Sequence, residues 1–314
     1  MSQVSLVSHK SPATETRPAS VAQTIQGYLA LTKPRITFFI LMSTAIGFMC
    51  GAHAVAHPGD IRDPWLTLLH TLIGTALIAS GAAALNQWYE READAKMNRT
   101  MARPIPSGRI TPPHALWFGS ALSIAGFVEL SLGANLLTGL LGALTLVMYV
   151  FIYTPLKRRS PHATTIGAVP GAMPPLIGFA AAAGTLTAPA WILFAILFLW
   201  QFPHFYAIAW MYRDDYARAG IRMLPVVEPD GVSTARRVVL FSLVLLPVSL
   251  LPKFAAMAGN VYLFGAIVMG LMFAYSAVRM WFDHSAAHAR QVLLASVVYL
   301  PVLYGLLAID RPHI

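Results

Sequence analysis

Nine apolar runs, each about long enough to cross a bilayer, constrain this chain more than any other feature. They fall at about 36–55, 65–86, 115–132, 134–154, 164–183, 188–211, 237–256, 260–281 and 290–308. A helix needs roughly 20 apolar residues to cross the hydrocarbon core. Within lipid the backbone must satisfy its own N–H and C=O groups, which leaves helices or closed barrels, and runs of this length are helical. Only 11% of the 314 residues are charged, against roughly 25% in a soluble domain. The pattern predicts an all-α, polytopic membrane bundle of nine transmembrane helices. Only Gly133-Ala134-Asn135 separates the third run from the fourth, so eight spans stay open on length alone.

The cations favour nine. With the N-terminus on the cytoplasmic side, the tail and the loops after the even-numbered spans hold 19 of the 22 Lys and Arg residues. Arg62, Lys253 and Arg311 stand on the other side. Basic residues concentrate on the cytoplasmic face of membrane proteins, so the chain reads as N-in and C-out. The net charge of +9 is thereby a topology signal and does not imply a nucleic-acid partner. Residues 1–27 are polar, rich in Ser, Thr, Pro and Gln, and read as a disordered cytoplasmic tail with no cleaved-signal pattern. Residues 28–314 read as one transmembrane domain. A single cysteine, Cys50, excludes a disulfide framework and a cysteine metal site.

Where the second run reaches water, Asn86, Glu90 and Asp94 stand at i, i+4 and i+8. Residues four apart share a helix face, so amide and carboxylate oxygens form one stripe, while Glu92 falls on another face. Arg91, Lys96, Arg99 and Arg103 follow. Mg²⁺ is usually held by one or two carboxylates together with waters and substrate phosphates, and cations bind phosphate. The stripe and its cations predict a diphosphate site at a membrane surface. The plainer reading is an exposed helix end with scattered charges, which leaves Asp94 facing water.

A second loop carries Gln201, His204, Asp214 and Asp215. His204 and Asp215 share a face if the helix is unbroken, although Pro203 can kink it. Polar side chains inside an apolar helix are costly and mark function by default; a hydrogen bond to a neighbouring helix is the plainer account of His204. Lys33 and Arg35 enter the first span, and Tyr153, Thr154, Lys157 and Arg158 leave the fourth. Span five is dense in Gly and Pro, from Gly167 to Gly178. Broken backbone at membrane depth belongs beside a buried cavity. Glu129, inside span three, has no assigned partner.

Together these motifs resemble the UbiA superfamily of intramembrane prenyltransferases. The resemblance runs from Leu31 to Pro225. It is carried by Thr32-Lys-Pro-Arg35, the Asn86–Glu90–Asp94 motif with Arg99-Thr100 and Arg103-Pro104, and Tyr153-Thr154 with Lys157-Arg158. Gly171-Ala-Met-Pro-Pro-Leu-Ile-Gly178, Trp200-Gln-Phe-Pro-His-Phe205 and Asp214-Asp215 complete it. Quinone-type members usually carry a second D-x-x-x-D near the sixth span. Here His204 and Asp214-Asp215 stand in its place, as in the haem branch.

The resemblance implies farnesyl transfer from farnesyl diphosphate to a vinyl group of haem b, in a bacterial inner membrane, with the diphosphate site facing the cytoplasm. It implies Mg²⁺ on Asn86, Glu90 and Asp94, with Asp215 assisting. Lys33, Arg35, Arg99, Arg103, Tyr153, Lys157, Arg158, His204 and Asp214 would bind substrate. Membrane lipid is the solvent, and haem A synthase or oxidase assembly factors are implied partners. Prenylation of an aromatic quinone precursor is the alternative within the superfamily. A transporter is the alternative outside it, which the crowding of ionisable residues at one surface disfavours.

Overall fold

The computed structural model describes residues 21–54 and 63–311. Among them nine helical segments are long and apolar enough to span a membrane. A tenth helix, α1 (Val21–Leu31), precedes them. Residues 21–27 are therefore helical where composition predicts disorder; the rest of the expected tail, and Arg62, lie outside the described residues. Leu31 packs under Ile105 and Ile110, so an apolar contact orders this stretch despite its polar flanks.

The spanning segments are α2 (Pro34–Ala54), α3 (Pro64–Asp94), α4 (Pro112–Gly133) and α5 (Leu136–Leu156). Next come α6 (Ala163–Gly171) and α7 (Pro174–Ala183), which together make one span, and α8 (Ala188–Met211). The short helices α9 (Arg213–Arg218) and α10 (Leu224–Val227) lead to α11 (Val232–Val248), which α12 (Leu251–Phe254) extends. The last two spans are α13 (Asn260–Phe282) and α14 (Ala286–Ile309). Asn135 separates α4 from α5 by capping the latter, accepting from the Thr138 N–H at 2.9 Å. That cap decides for nine spans over eight.

Small residues bring the helices together. A Cβ on Gly47 would run into the Pro175 carbonyl, and one on Gly178 into that of Thr44, so α2 and α7 meet backbone to backbone. Gly81 and Gly126 do the same for α3 and α4. The break between α6 and α7 falls where Pro174 starts a new helix, and this span is the most buried of the nine. α8 packs against α11 and α14, with Phe202 stacked on Phe241 at 3.9 Å. It runs through Pro203 as one helix.

Glu129 finds its partner in His70 of α3, 2.7 Å away. His70 precedes Asn86 by sixteen residues, roughly 24 Å along α3, so this pair belongs to the opposite end of the bundle.

Candidate functional site: an oxygen stripe matched by cations

α3 is 31 residues long, roughly 46 Å at 1.5 Å per residue, so it outruns a bilayer core of roughly 30 Å. Asp63 caps its start, accepting from the Trp65 and Leu66 N–H groups at 3.1 Å. Its far end carries the stripe. Asn86 is 1% exposed and Asp94 0%, whereas the Glu92 side chain is 71% exposed. Asn86 and Asp94 thus share a buried face that Glu92 does not, and Asp94 does not face water. The loop after α3 folds back over the helix end through Met97 and Ile105, and the Thr100 hydroxyl donates to the Asp94 carbonyl at 2.9 Å.

Each carboxylate of the stripe has a cation. Arg103 Nη1 donates to both oxygens of Asp94, at 2.8 and 2.7 Å. Lys157, at the end of α5, donates to Glu90 Oε1 at 2.9 Å and lies 4.6 Å from the Tyr153 ring centre. Asn86 donates to Glu90 Oε2 at 3.0 Å and to Thr154 Oγ1 at 3.1 Å. Its carbonyl oxygen accepts from Lys33 Nζ at 3.3 Å. Lys33 has φ +49°, a left-handed conformation rare outside glycine, at the turn from α1 into α2. Burial, reinforced by Arg103 and Lys157, pulls its pKa down to about 7. Burial alone would also lower Lys157, but Glu90 and the neighbouring tyrosines outweigh it and hold that amine well above the usual lysine range.

The second loop closes on the first. Asp215 Oδ2 accepts from the Arg99 backbone N–H at 3.2 Å and also pairs with Arg218. The Arg99 guanidinium lies over the rings of Tyr212 and Tyr216, 4.7 and 5.4 Å from their centres, and donates to the Tyr216 hydroxyl at 3.0 Å. Arg222 N–H donates to the Lys157 carbonyl at 2.9 Å, which ties the end of α5 into the same assembly. Asn98, Arg99, Tyr212, Asp214 and Asp215 line an open cleft of about 550 Å³ here.

A buried stripe of oxygens, each matched to a cation from a different turn or loop, stands at one end of an apolar bundle. Residues 40–299 match the model of the UbiA prenyltransferase family. The chain belongs to that family. It is 59% identical over 297 residues to a protein of Solibacter usitatus named protoheme IX farnesyltransferase, an overlap of 92% of this chain and 99% of the relative. A protein of the same name from Koribacter versatilis is 46% identical, over 96% and 97% of the two chains. Among solved structures, one of digeranylgeranylglyceryl phosphate synthase superposes with a TM-score of 0.74 at 17% identity, over 92% of this chain and 98% of that one. A UbiA homologue from Archaeoglobus fulgidus, bound to GPP and Mg²⁺, gives 0.64 at 14% identity, over 90% and 100%. At such identities these two structures show the fold alone.

In this UbiA chain the structure gathers Lys33, Asn86, Glu90, Asp94, Arg103, Tyr153 and Lys157 into one cluster, with Asp215 and Arg99 in the adjoining loop contact. Arg35, Arg158 and Asp214 are exposed, Asp214 on the cleft wall. His204 and Asp215 do not share a continuous helix, because α8 ends at Met211 and Tyr212 breaks the helical backbone. His204 Nδ1 is 2.8 Å from Ser296 Oγ of α14, with its ring stacked on Trp200. Gln201 is structural, donating to the Ala168 carbonyl at 2.9 Å. Thr154 enters the sequence only within the Tyr153-Thr154 motif, with no role of its own, and Tyr212 and Tyr216 carry none there. Uncharged, all three gain a role only where the fold sets them beside Asn86 and Arg99.

Mg²⁺ can be tested against these donors. Among the described residues no group of three or more His, Cys, Asp or Glu side chains forms a metal cage. One buried amide oxygen with a single long bond, and two carboxylates, suit an ion that keeps water and phosphate ligands.

Proposed function

We propose that this chain transfers the farnesyl group of farnesyl diphosphate to a vinyl group of haem b, giving haem O and diphosphate. Supporting this are near-full-length relatives named protoheme IX farnesyltransferase and, as the decisive observation on the chain itself, the cation-matched stripe of Asn86, Glu90 and Asp94. The prenyl C–O bond breaks with its electron pair going to the diphosphate. The vinyl π-electrons then bond to the allylic cation. Water adds to the resulting porphyrin-side cation and loses a proton, which leaves a hydroxyethylfarnesyl group.

The chain's own residues supply charge and exclusion. Lys33, Arg103 and Lys157 face the leaving group and stabilise its growing charge, a contribution that is large where water is excluded. Asp215 acts from the second loop by holding the Arg99 backbone, and so keeps the loops closed over the site. The apolar bundle keeps bulk water from the allylic cation. Asn86, Glu90 and Asp94 would hold Mg²⁺, which supplies Lewis-acid neutralisation of the diphosphate. His204, its Nδ1 held by Ser296, offers Nε2 to the porphyrin. We place the site on the cytoplasmic face of an inner membrane, because the loops that build it carry most of the Lys and Arg residues. A maleimide reagent that labels an E92C variant (Cys50 replaced) in inverted vesicles but not in intact cells supports that placement; labelling in intact cells refutes it.

The function is tested by diphosphate release. Purified protein with farnesyl diphosphate and Mg²⁺ should release diphosphate when haem b is added. Release with 4-hydroxybenzoate instead would move the reading to an aromatic acceptor.

A further inference from the structure

The Asn86 amide has two faces, and its neighbours dictate which way round it sits. Thr154 ends a π-helical turn, Met148–Tyr153, inside α5; such turns recur at functional sites. There the Tyr149 carbonyl accepts twice, from the Thr154 N–H and from the Thr154 hydroxyl at 2.8 Å. A hydroxyl has one proton to donate. With that proton committed to Tyr149, Thr154 Oγ1 can only accept from Asn86, and only the NH₂ half of the amide can supply the proton. The second N–H goes to the Glu90 carboxylate, which is acceptor-only when ionised. Both Thr154 and Asn86 are 1% exposed, so bulk water does not compete for these bonds. The carbonyl oxygen is left on the opposite side, against the Lys33 ammonium.

We infer that Thr154 is a positioning residue: through the π turn it fixes the Asn86 amide so that Oδ1, and not the NH₂ group, is presented to the cation that would bind the diphosphate. This rests on the reading of Asn86 as part of the diphosphate site. Without the threonine hydroxyl the amide loses the uncharged one of the three partners that distinguish its two orientations, the others being Glu90 and Lys33. In the flipped one an N–H points at Lys33, and the oxygen that would serve Mg²⁺ is turned away. Glu90 Oε2 and Lys33 favour the same orientation, but they are the groups that a metal and a diphosphate would engage on the reading above, which leaves Thr154 as the partner that stays in place.

The test is Mg²⁺-dependent binding of the unreactive farnesyl thiolodiphosphate to the purified full chain by calorimetry, with thermal unfolding as the control for fold. Removing a group that orients a ligand typically costs about 10–100-fold in metal affinity. Thr154→Val should weaken Mg²⁺-dependent binding by about tenfold or more, and Thr154→Ser, which keeps the hydroxyl, should restore it to within about twofold of the parent. Thr154→Ala stands in if the valine variant does not fold. In an Asn86→Ala background Thr154→Val should add no further loss, since coupled residues are non-additive. Unchanged binding by Thr154→Val, or an equal loss in both backgrounds, overturns the inference while the diphosphate reading survives. Unchanged binding by Asn86→Ala overturns both.

Discussion

Glu90 and Lys157 are 67 residues apart in sequence, and their side chains meet at 2.9 Å. That bond joins the overrunning end of α3 to the end of α5, and it sits between Asn86 on one side and Tyr153 on the other. On the function proposed above, a carboxylate that would hold a metal and an amine that would hold a phosphate satisfy each other in the free protein. Ligand binding would then exchange one partner for another and leave no bare buried charge.

Asp94→Asn should remove activity and also destabilise the protein, by about 3 kcal/mol, because Arg103 loses the partner of a largely buried pair. Glu92→Gln should leave both unchanged, since that side chain is exposed and its ion pair is with Arg91, at 3.5 Å. Turnover and thermal unfolding in detergent check this. Equal loss from the two substitutions would contradict the face assignment.

How much of this is legible in the sequence depends on the range of the interaction. The i, i+4, i+8 stripe and the spans follow from local periodicity, and the exposure of Glu92 agrees. The burial of Asp94 does not, because it depends on a loop folding back through Met97 and Ile105. The His204–Asp215 relation fails for a local reason hidden in sequence: a helix that tolerates Pro203 stops at Tyr212. Glu129 stays unexplained until α3 and α4 pair and bring His70 to it.

Lys33 should give ligand binding at the site a pH dependence. Its amine is lowered to about 7 in the fold from 10.5, among Arg103, Lys157, Glu90 and Asp94. The charged form therefore costs stability in full below pH 7, and the cost is relieved as pH rises from 7 towards 10.5. Binding runs the other way. A diphosphate favours the ammonium, so above pH 7 each binding event takes up a proton, and affinity should fall by up to about tenfold per pH unit. Lys33→Arg stays charged and should flatten that profile; the same slope in both proteins would exclude Lys33 as its source.

Asp215→Ala should loosen the loop contact, because the Arg99 N–H loses its acceptor. Limited trypsin digestion should then cut faster after Arg99, and KM for farnesyl diphosphate should rise by about tenfold, one charge-assisted hydrogen bond's worth. Unaltered digestion would show that the Arg99 ring contacts and the packing of Met97 hold the loops without Asp215.

His204→Ala should weaken haem b binding, read from the Soret band on titration, and leave farnesyl thiolodiphosphate binding unchanged. The residue meets Ser296 and Trp200 and has no bond to the stripe. A loss in diphosphate binding with haem titration intact would reverse its assignment.

The most direct test of the central claim is the mass of the pigment. Membranes containing this protein, given haem b, farnesyl diphosphate and Mg²⁺, should yield a haem heavier by one farnesyl group and one water, and the Asp94→Asn protein should yield none. Unaltered haem b beside a prenylated aromatic acid in a parallel reaction would contradict the acceptor proposed here.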